Sequence, residues 1–320
     1  MIFLYAYIRQ ANKKEEIIEK EKKWYSFFNP IIIWYKLKKG KVKEVTYKGN
    51  KIYILPILEG EEIKLKTIEK IKRNVDKLLE KDMIKNIVLS TYLDKIEILK
   101  NNFYRQNKNI LDGRILFSAM IMESLEYIAK NQDTIIEKED LYVLINDDNN
   151  FNIDNLKLLA QKVRNLYIIT NHIEKFKKLE EYLYQKLGII INISNNRRKS
   201  LRKAKWIVNI DFTEELLEKY NINKTAIILN IEQTVKMKNK IFNGITINMF
   251  EIKIPYEIKE NLKKENLETF FTNAILYESI IKKYGKLETI REQIKKDKIT
   301  IDYMIGNKGK LSKEEYARVI

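Results

Sequence analysis

A chain of 320 residues exceeds the usual domain size of roughly 100–200 residues, so two domains are expected. With 45% hydrophobic and 33% charged residues, and only three Pro and nine Gly, it has material for a sizeable core and none for a disordered or linker-rich chain. Its formal charge of +17 invites a nucleic-acid reading, while the lack of cysteine excludes a disulfide framework, a thiolate metal site and a cysteine nucleophile.

The first sixty residues suggest strands around one helix. Met1 to Ile8 reads as a strand. No positive residue precedes it and no small-residue cleavage site follows it, so it is not a signal peptide, and the cytoplasm is the expected location. Asn12 to Phe28 is helical in composition. Ile31 to Lys38, Val42 to Tyr47 and Ile52 to Ile57 read as strands, with Gly40 and Gly49-Asn50 as turns; Ile31 to Leu37 could equally end the helix. Ile31 to Tyr35 is far shorter than the ~18 residues of a membrane span, so no membrane partner is expected.

From Glu61 to Asp82 the period becomes helical, through Ile68, Ile71, Val75, Leu78 and Leu79. Asn86 to Leu89 is a short strand. Thr91 and Asp94 resemble a capping box ahead of a helix carrying Ile96, Leu99 and Phe103. Ile115 to Lys130 is apolar around most of its circumference and is expected to be a buried linking helix, with Met120 and Met122 as core fillers.

After Asp140 strands and helices alternate. Leu141–Ile145, Leu166–Thr170, Ile189–Ile193, Trp206–Ile210 and Ala226–Ile231 are continuous apolar runs. Between them lie helices at Ile153–Val163, His172–Leu187, Arg197–Ala204 and Thr213–Tyr220. Such runs suit a parallel sheet covered on both faces, and right-handed crossovers leave a doubly wound sheet. Ile245 to Ile254 fits a strand pair or a loop. Leu267 to Tyr284 reads as one strong helix with Phe270, Phe271, Ala274, Ile275, Tyr277 and Ile281 inward, stopped by Gly285, and Leu287 to Ile294 continues helically.

The expected fold class is therefore α/β. It has an N-terminal α/β domain (1–110), a buried linking helix (111–132), a doubly wound parallel-sheet Rossmann-like domain (133–231) and a mainly helical C-terminal segment (232–320) packing back on the linking helix.

Thr170-Asn171-His172-Ile173-Glu174-Lys175 after a strand, a helix ending at Gly188, Lys203-Ala204-Lys205-Trp206-Ile207-Val208-Asn209, and Ala226 to Ile231 together resemble the NAD(P)-binding domains of the shikimate dehydrogenase and glutamyl-tRNA reductase class. The resemblance covers about ninety residues, here 141–231, and implies NAD or NADP as cofactor. The turn after the first strand departs from it. A glycine-rich turn lets a diphosphate approach a helix N-terminus, but Asn146-Asp147-Asp148-Asn149-Asn150-Phe151-Asn152 has no glycine and two carboxylates. The reductase's cysteine nucleophile is absent, and the shikimate-binding Ser-x-Ser and Lys–Asp pattern is not visible in residues 1–110.

Candidate cofactor-binding residues are Thr170, Asn171, His172, Ser194, Arg197, Arg198 and Asn209, all assigned to the carboxyl edge of the sheet. Asn196 to Lys205 carries six basic residues and no acid, which suits an anion, though a solvated basic helix explains it too. His172 is the sole histidine and stands where the family has an arginine; a cap or a packed side chain is the plainer reading. Asp147 and Asp148 are better read as a solvated turn than as a metal or receiver site. Asp211 leads into a helix with Thr213 as N-cap.

The expected function is binding of a nucleotide or anionic metabolite without standard dinucleotide chemistry; no catalytic residue and no metal site is assigned. One alternative is a lysine-rich protein that binds nucleic acid or an acidic partner. It is not favoured, because 51 of the 61 basic residues are lysine, which lacks the bidentate fork of arginine. The other is an NAD(P)-dependent oxidoreductase with an atypical first turn.

Overall fold

Alternation of short apolar strands with amphipathic helices gives two α/β units, residues 1–112 with 256–283 and residues 113–255 with 284–320. The structure is a computed structural model describing residues 5–12, 39–47, 50–58, 64–105, 108–237, 241–263 and 267–319. The helix expected at Asn12–Phe28, the strand at Ile31–Lys38 and the turn at Gly49 lie outside those residues.

In the first unit β1 (Tyr5–Ala11) is central, and Ala6, Tyr7 and Ile8 are all buried. The strand order is β2-β3-β1-β4-β5, with β2 (Lys43–Tyr47), β3 (Asn50–Leu58), β4 (Asn86–Leu89) and β5 (Asn109–Leu111). Only β2 is antiparallel to its neighbour. Helix α1 (Leu65–Lys81) buries Ile68, Ile71, Val75 and Leu79 against this sheet, as its periodicity predicts. Each such side chain contributes roughly 1.5–3 kcal/mol. Gly40 has φ +63°, and a Cβ there would stand 2.9 Å from the Ile71 nitrogen, so both conformation and space require glycine.

Two local expectations in this unit are corrected. Thr91 does not cap a helix: its N–H and hydroxyl both donate to the Phe270 carbonyl, while the Ser90 hydroxyl accepts from Leu93 N–H ahead of a short 3₁₀ turn. The α-helix begins later, as α2 (Glu97–Arg105). The single helix expected at Leu267–Tyr284 is broken into short helices at Leu267–Phe270 and Asn273–Ile281. Thr272 adopts extended backbone and caps the second by accepting Ile275 N–H, and Leu276 rather than Ile275 is the buried residue.

The second unit contains an eight-stranded sheet. Six of its strands are parallel: β6 (Asp140–Leu144), β7 (Asn165–Ile169), β8 (Asn192–Ser194), β9 (Trp206–Asn209), β10 (Ile227–Asn230) and β11 (Ile245–Lys253). They lie in the order β8-β7-β6-β9-β10-β11, and two antiparallel strands, β12 (Thr300–Gly306) and β13 (Gly309–Lys310), extend the β11 side. Counting the parallel strands from β6, this is the 3-2-1-4-5-6 order of the Rossmann fold. Ile245–Ile254, expected as a strand pair or a loop, is one nine-residue strand. The terminal segment thus gives strands to this sheet and, at 256–283, helices to the other unit.

The linking helix belongs to the second unit and is two helices, α3 (Arg114–Ala119) and α4 (Ile121–Asn131), broken at Met120. The Arg291 guanidinium donates to the Ala119 carbonyl at 3.1 Å, and a side chain entering the backbone ladder is a common cause of such a break. The short helix expected at Arg197–Ala204 is a run of turns. Asn196 Oδ1 accepts the N–H groups of Arg198 and Lys199, and three-residue backbone bonds close the later turns. Among the described residues no helix is long and apolar enough to cross a membrane.

Candidate functional site

In a 3-2-1-4-5-6 sheet the chain leaves β6 toward one side and β9 toward the other. Their carboxyl ends therefore flank the crevice in which such folds bind ligands. After β6 the chain runs Ile145-Asn146-Asp147, and after β9 it runs Ile210-Asp211. The two segments meet. The Asp211 carboxylate accepts Asn146 N–H at 2.8 and 2.9 Å on its two oxygens, and Asp147 N–H at 2.7 Å. Backbone donors that an anion could use at this turn are thus occupied by a carboxylate of the chain itself.

The crevice is also acidic. Burial holds the Asp211 carboxyl above its ordinary range; the hydrogen bonds from Asn146 and Asp147 oppose that, and the nearby Asp147 charge adds to it. Glu232, after β10, is raised by the protein around it and by the Asp211 and Asp147 charges, with Asn152 acting the other way. Asp148 is lowered by Lys175, whose Nζ stands 3.2 Å away. The following helix, α5 (Asn150–Ala160), is capped from within by Asn149, which accepts Asn152 N–H.

Farther out, parallel pairing of Ile169 with Ser194 gathers six of the seven sequence-assigned residues around the ends of β7 and β8. Thr170 is buried; its hydroxyl accepts His172 N–H at 3.0 Å, and its N–H donates to the Ser194 carbonyl. Asn146 Oδ1 accepts Asn171 N–H at 2.9 Å, tying the turns after β6 and β7 together. Asn171 and His172 are exposed at the start of α6 (Ile173–Leu187), and His172 provides no side-chain cap there. Ser194 bonds the Ser200 hydroxyl at 2.9 Å and accepts Asn196 N–H. Arg197 and Arg198 project from the next turn, both exposed. Asn221 N–H donates to the Arg197 carbonyl and fixes that turn to the body of the unit.

Asn209 stands apart. It is fully buried, with its amide oxygen accepting Phe212 N–H and its amide nitrogen donating to the Phe212 carbonyl and to Asn230 Oδ1. Asn230 donates to Asn248, and Asn248 to Asn307, whose amide donates to the Thr246 hydroxyl. This ladder of asparagines crosses the sheet and assigns Asn209 a packing role. Asp211, Glu232 and the ladder were not singled out as a group by the sequence reading. Their signal is a repeated spelling at successive strand ends: Val208-Asn209-Ile210-Asp211 and Leu229-Asn230-Ile231-Glu232.

The residues at the switch point do not fit a dinucleotide. The glycine that admits a diphosphate is missing, the Asn146 and Asp147 N–H groups are engaged, and the carboxylates of Asp147, Asp148, Asp211 and Glu232 outnumber the cations Lys175 and Arg114 at these strand ends. Among the described residues no group of three or more His, Asp or Glu is placed to hold a metal ion.

No protein-family model matches the chain. No curated protein matches it. Among solved structures it is similar to L-tryptophan dehydrogenase from Nostoc punctiforme, at 9% identity and a TM-score of 0.31, over 98% of this chain and 86% of that one. It is also similar to the dipicolinate synthase A chain from Bacillus subtilis, at 9% identity and a TM-score of 0.32, over 74% and 82%. A third likeness is to ornithine transcarbamoylase from Giardia lamblia, at 10% identity and a TM-score of 0.28, over 71% and 72%. Likenesses this remote carry no argument about chemistry, and the Rossmann-like architecture rests on the chain's own strand order and register.

Proposed function

We propose that the second unit is a Rossmann-like binding module for a mononucleotide or a comparable anionic metabolite, held at the ends of β7 and β8 and not spread across the switch point. The observation that carries this reading is the Asp211 carboxylate seated on the Asn146 and Asp147 N–H groups, where it competes with any diphosphate. Arg197 and Arg198, exposed after β8, supply the positive charge, and Asn171 and His172, exposed after β7, supply polar contacts. Membership of the shikimate dehydrogenase and glutamyl-tRNA reductase class is supported by the spelling of residues 170–175 and 203–209. The altered first turn argues for a divergent member without the usual dinucleotide.

Calorimetric titration with AMP and with NADPH tests the reading. AMP is expected to bind saturably and to lose at least about tenfold in affinity in Arg197→Ala/Arg198→Ala, with NADPH no tighter than AMP. NADPH binding far tighter than AMP, or AMP affinity indifferent to both arginines, would overturn it.

A further inference from the structure

A cavity of about 560 Å³ lies in the second unit at the amino end of β11, the opposite end of the parallel strands from the carboxyl edge. Its volume falls in the range of small-molecule sites, roughly 300–1,000 Å³. Apolar wall is provided by Met237, Phe242, Ile245, Leu311 and Val319. Thr246 and Asn307 add polar atoms, and Lys308 and Arg318 stand exposed on the rim.

The walls are held by contacts that do not depend on an occupant. A Cβ on Gly244 would lie 2.0 Å from the Ala226 carbonyl oxygen and 2.6 Å from the Phe242 ring, so only glycine lets this strand start pack so tightly beside that ring. The turn between β12 and β13 is pinned by Asn307, which accepts from Asn248 and donates to Thr246, both at 2.6 Å. The helix Lys313–Ala317 begins with a capping box of Ser312 and Glu315. Gln132 fixes the following chain by donating to the Tyr316 and Val319 carbonyls at 3.1 and 2.7 Å. Glu315, the one acid lining the cavity, is turned to Ser312 N–H at 2.8 Å. Its charge serves the helix start, and the two cations set the polarity of the rim.

We infer that this cavity is a second ligand site, separate from the carboxyl edge, for a small carboxylate with an aromatic or branched apolar body. The body packs on Phe242, Met237 and Leu311, and the carboxylate faces Lys308 and Arg318. A half-open cavity whose apolar side chains stand among polar ones offers such a molecule a packing surface and a partner for its charge. Two rim cations over one cavity of this size match a single anionic group better than a polyphosphate.

Phenylacetate is the probe, titrated into the full chain and followed by amide chemical shifts and calorimetry. Saturable binding is expected, with shifts centred on Thr246, Asn307 and Leu311. Benzyl alcohol, of similar shape but neutral, should bind at least about tenfold more weakly. Lys308→Glu/Arg318→Glu changes only exposed side chains and should cost phenylacetate about tenfold or more; Leu311→Trp, which fills the cavity, should abolish binding. Arg197→Ala/Arg198→Ala should leave phenylacetate binding unchanged, which separates this site from the nucleotide reading. No saturable binding up to millimolar phenylacetate, or equal binding by wild type and the charge-reversed variant, would overturn the inference.

Discussion

Asp211 bridges to Asn146 across the mouth of the second unit's sheet, with both carboxylate oxygens within 3 Å of one backbone nitrogen. The contact joins the chain leaving β9 to the chain leaving β6, the two strands whose connections diverge. It links folding to function, because the same backbone donors would be required by a ligand at that point.

The first prediction concerns pH. The folded carboxyl of Asp211 is raised above its ordinary value of 3.8, chiefly by burial. A raised group contributes stability that is fully present below its unfolded pKa and is lost as pH rises through the folded one. Urea unfolding of wild type and Asp211→Asn between about pH 7 and about pH 4 should therefore show the difference moving in favour of wild type on acidification. A difference that stays flat, or moves the other way, counts against the burial argument.

The asparagine ladder makes a sharper stability prediction. Asn230 is fully buried, accepts from Asn209 and donates to Asn248. Replacing it with leucine strands a donor of Asn209, while Asn248 Oδ1 still accepts Val235 N–H, and a buried unsatisfied group costs about 1–3 kcal/mol. Asn230→Leu should lower stability by about 1–3 kcal/mol, read from the denaturant midpoint at constant slope. A loss within experimental error would mean that the ladder is not a stabilising network.

Gly244→Ala tests the close approach at the start of β11. Its added Cβ would meet the Ala226 carbonyl oxygen, which accepts Ile245 N–H at 3.0 Å, so the β10–β11 pairing must shift. Overpacking of this kind costs about 1–3 kcal/mol. A thermal melt should show a clear drop in Tm, whereas Gly188→Ala, with nothing within 4 Å but φ +67°, registers backbone strain alone.

Helix capping offers a smaller effect with a clean control. Thr213 accepts Leu216 N–H at the start of α7 (Glu214–Leu217), and Ser312 does the same for Glu315 N–H in the helix Lys313–Ala317. Thr213→Ala and Ser312→Ala should each lower stability by about 1 kcal/mol, with Thr213→Ser close to neutral. Equal losses in Thr213→Ala and Thr213→Ser would assign the effect to something other than the hydroxyl.

Much of the architecture is legible in the sequence. Strands β6, β7, β9 and β10 fall within a residue or two of the apolar runs, because a strand buried on both faces must be continuously apolar. The helix over Ile68 to Leu79 follows from its period, and Thr213 was readable as a cap from its place before two glutamates. The break at Met120 was hidden, since Arg291 lies 172 positions away in sequence. So was the break at Thr272, where an apolar run conceals a capping threonine.

For the candidate site the chain's own letters settled the acidic, glycine-free first turn and the basic stretch after β8, since both are local and charge is written in the residues. They could not decide between a solvated Asp211 and one locked onto the β6 turn, nor tell Asn209 the ligand contact from Asn209 the buried rung. Those outcomes depend on which strand ends the 3-2-1-4-5-6 order makes neighbours. A polar side chain's role is set by the partners that folding brings within about 3 Å, and these come from 65 positions away for Asp211 and 21 for Asn209.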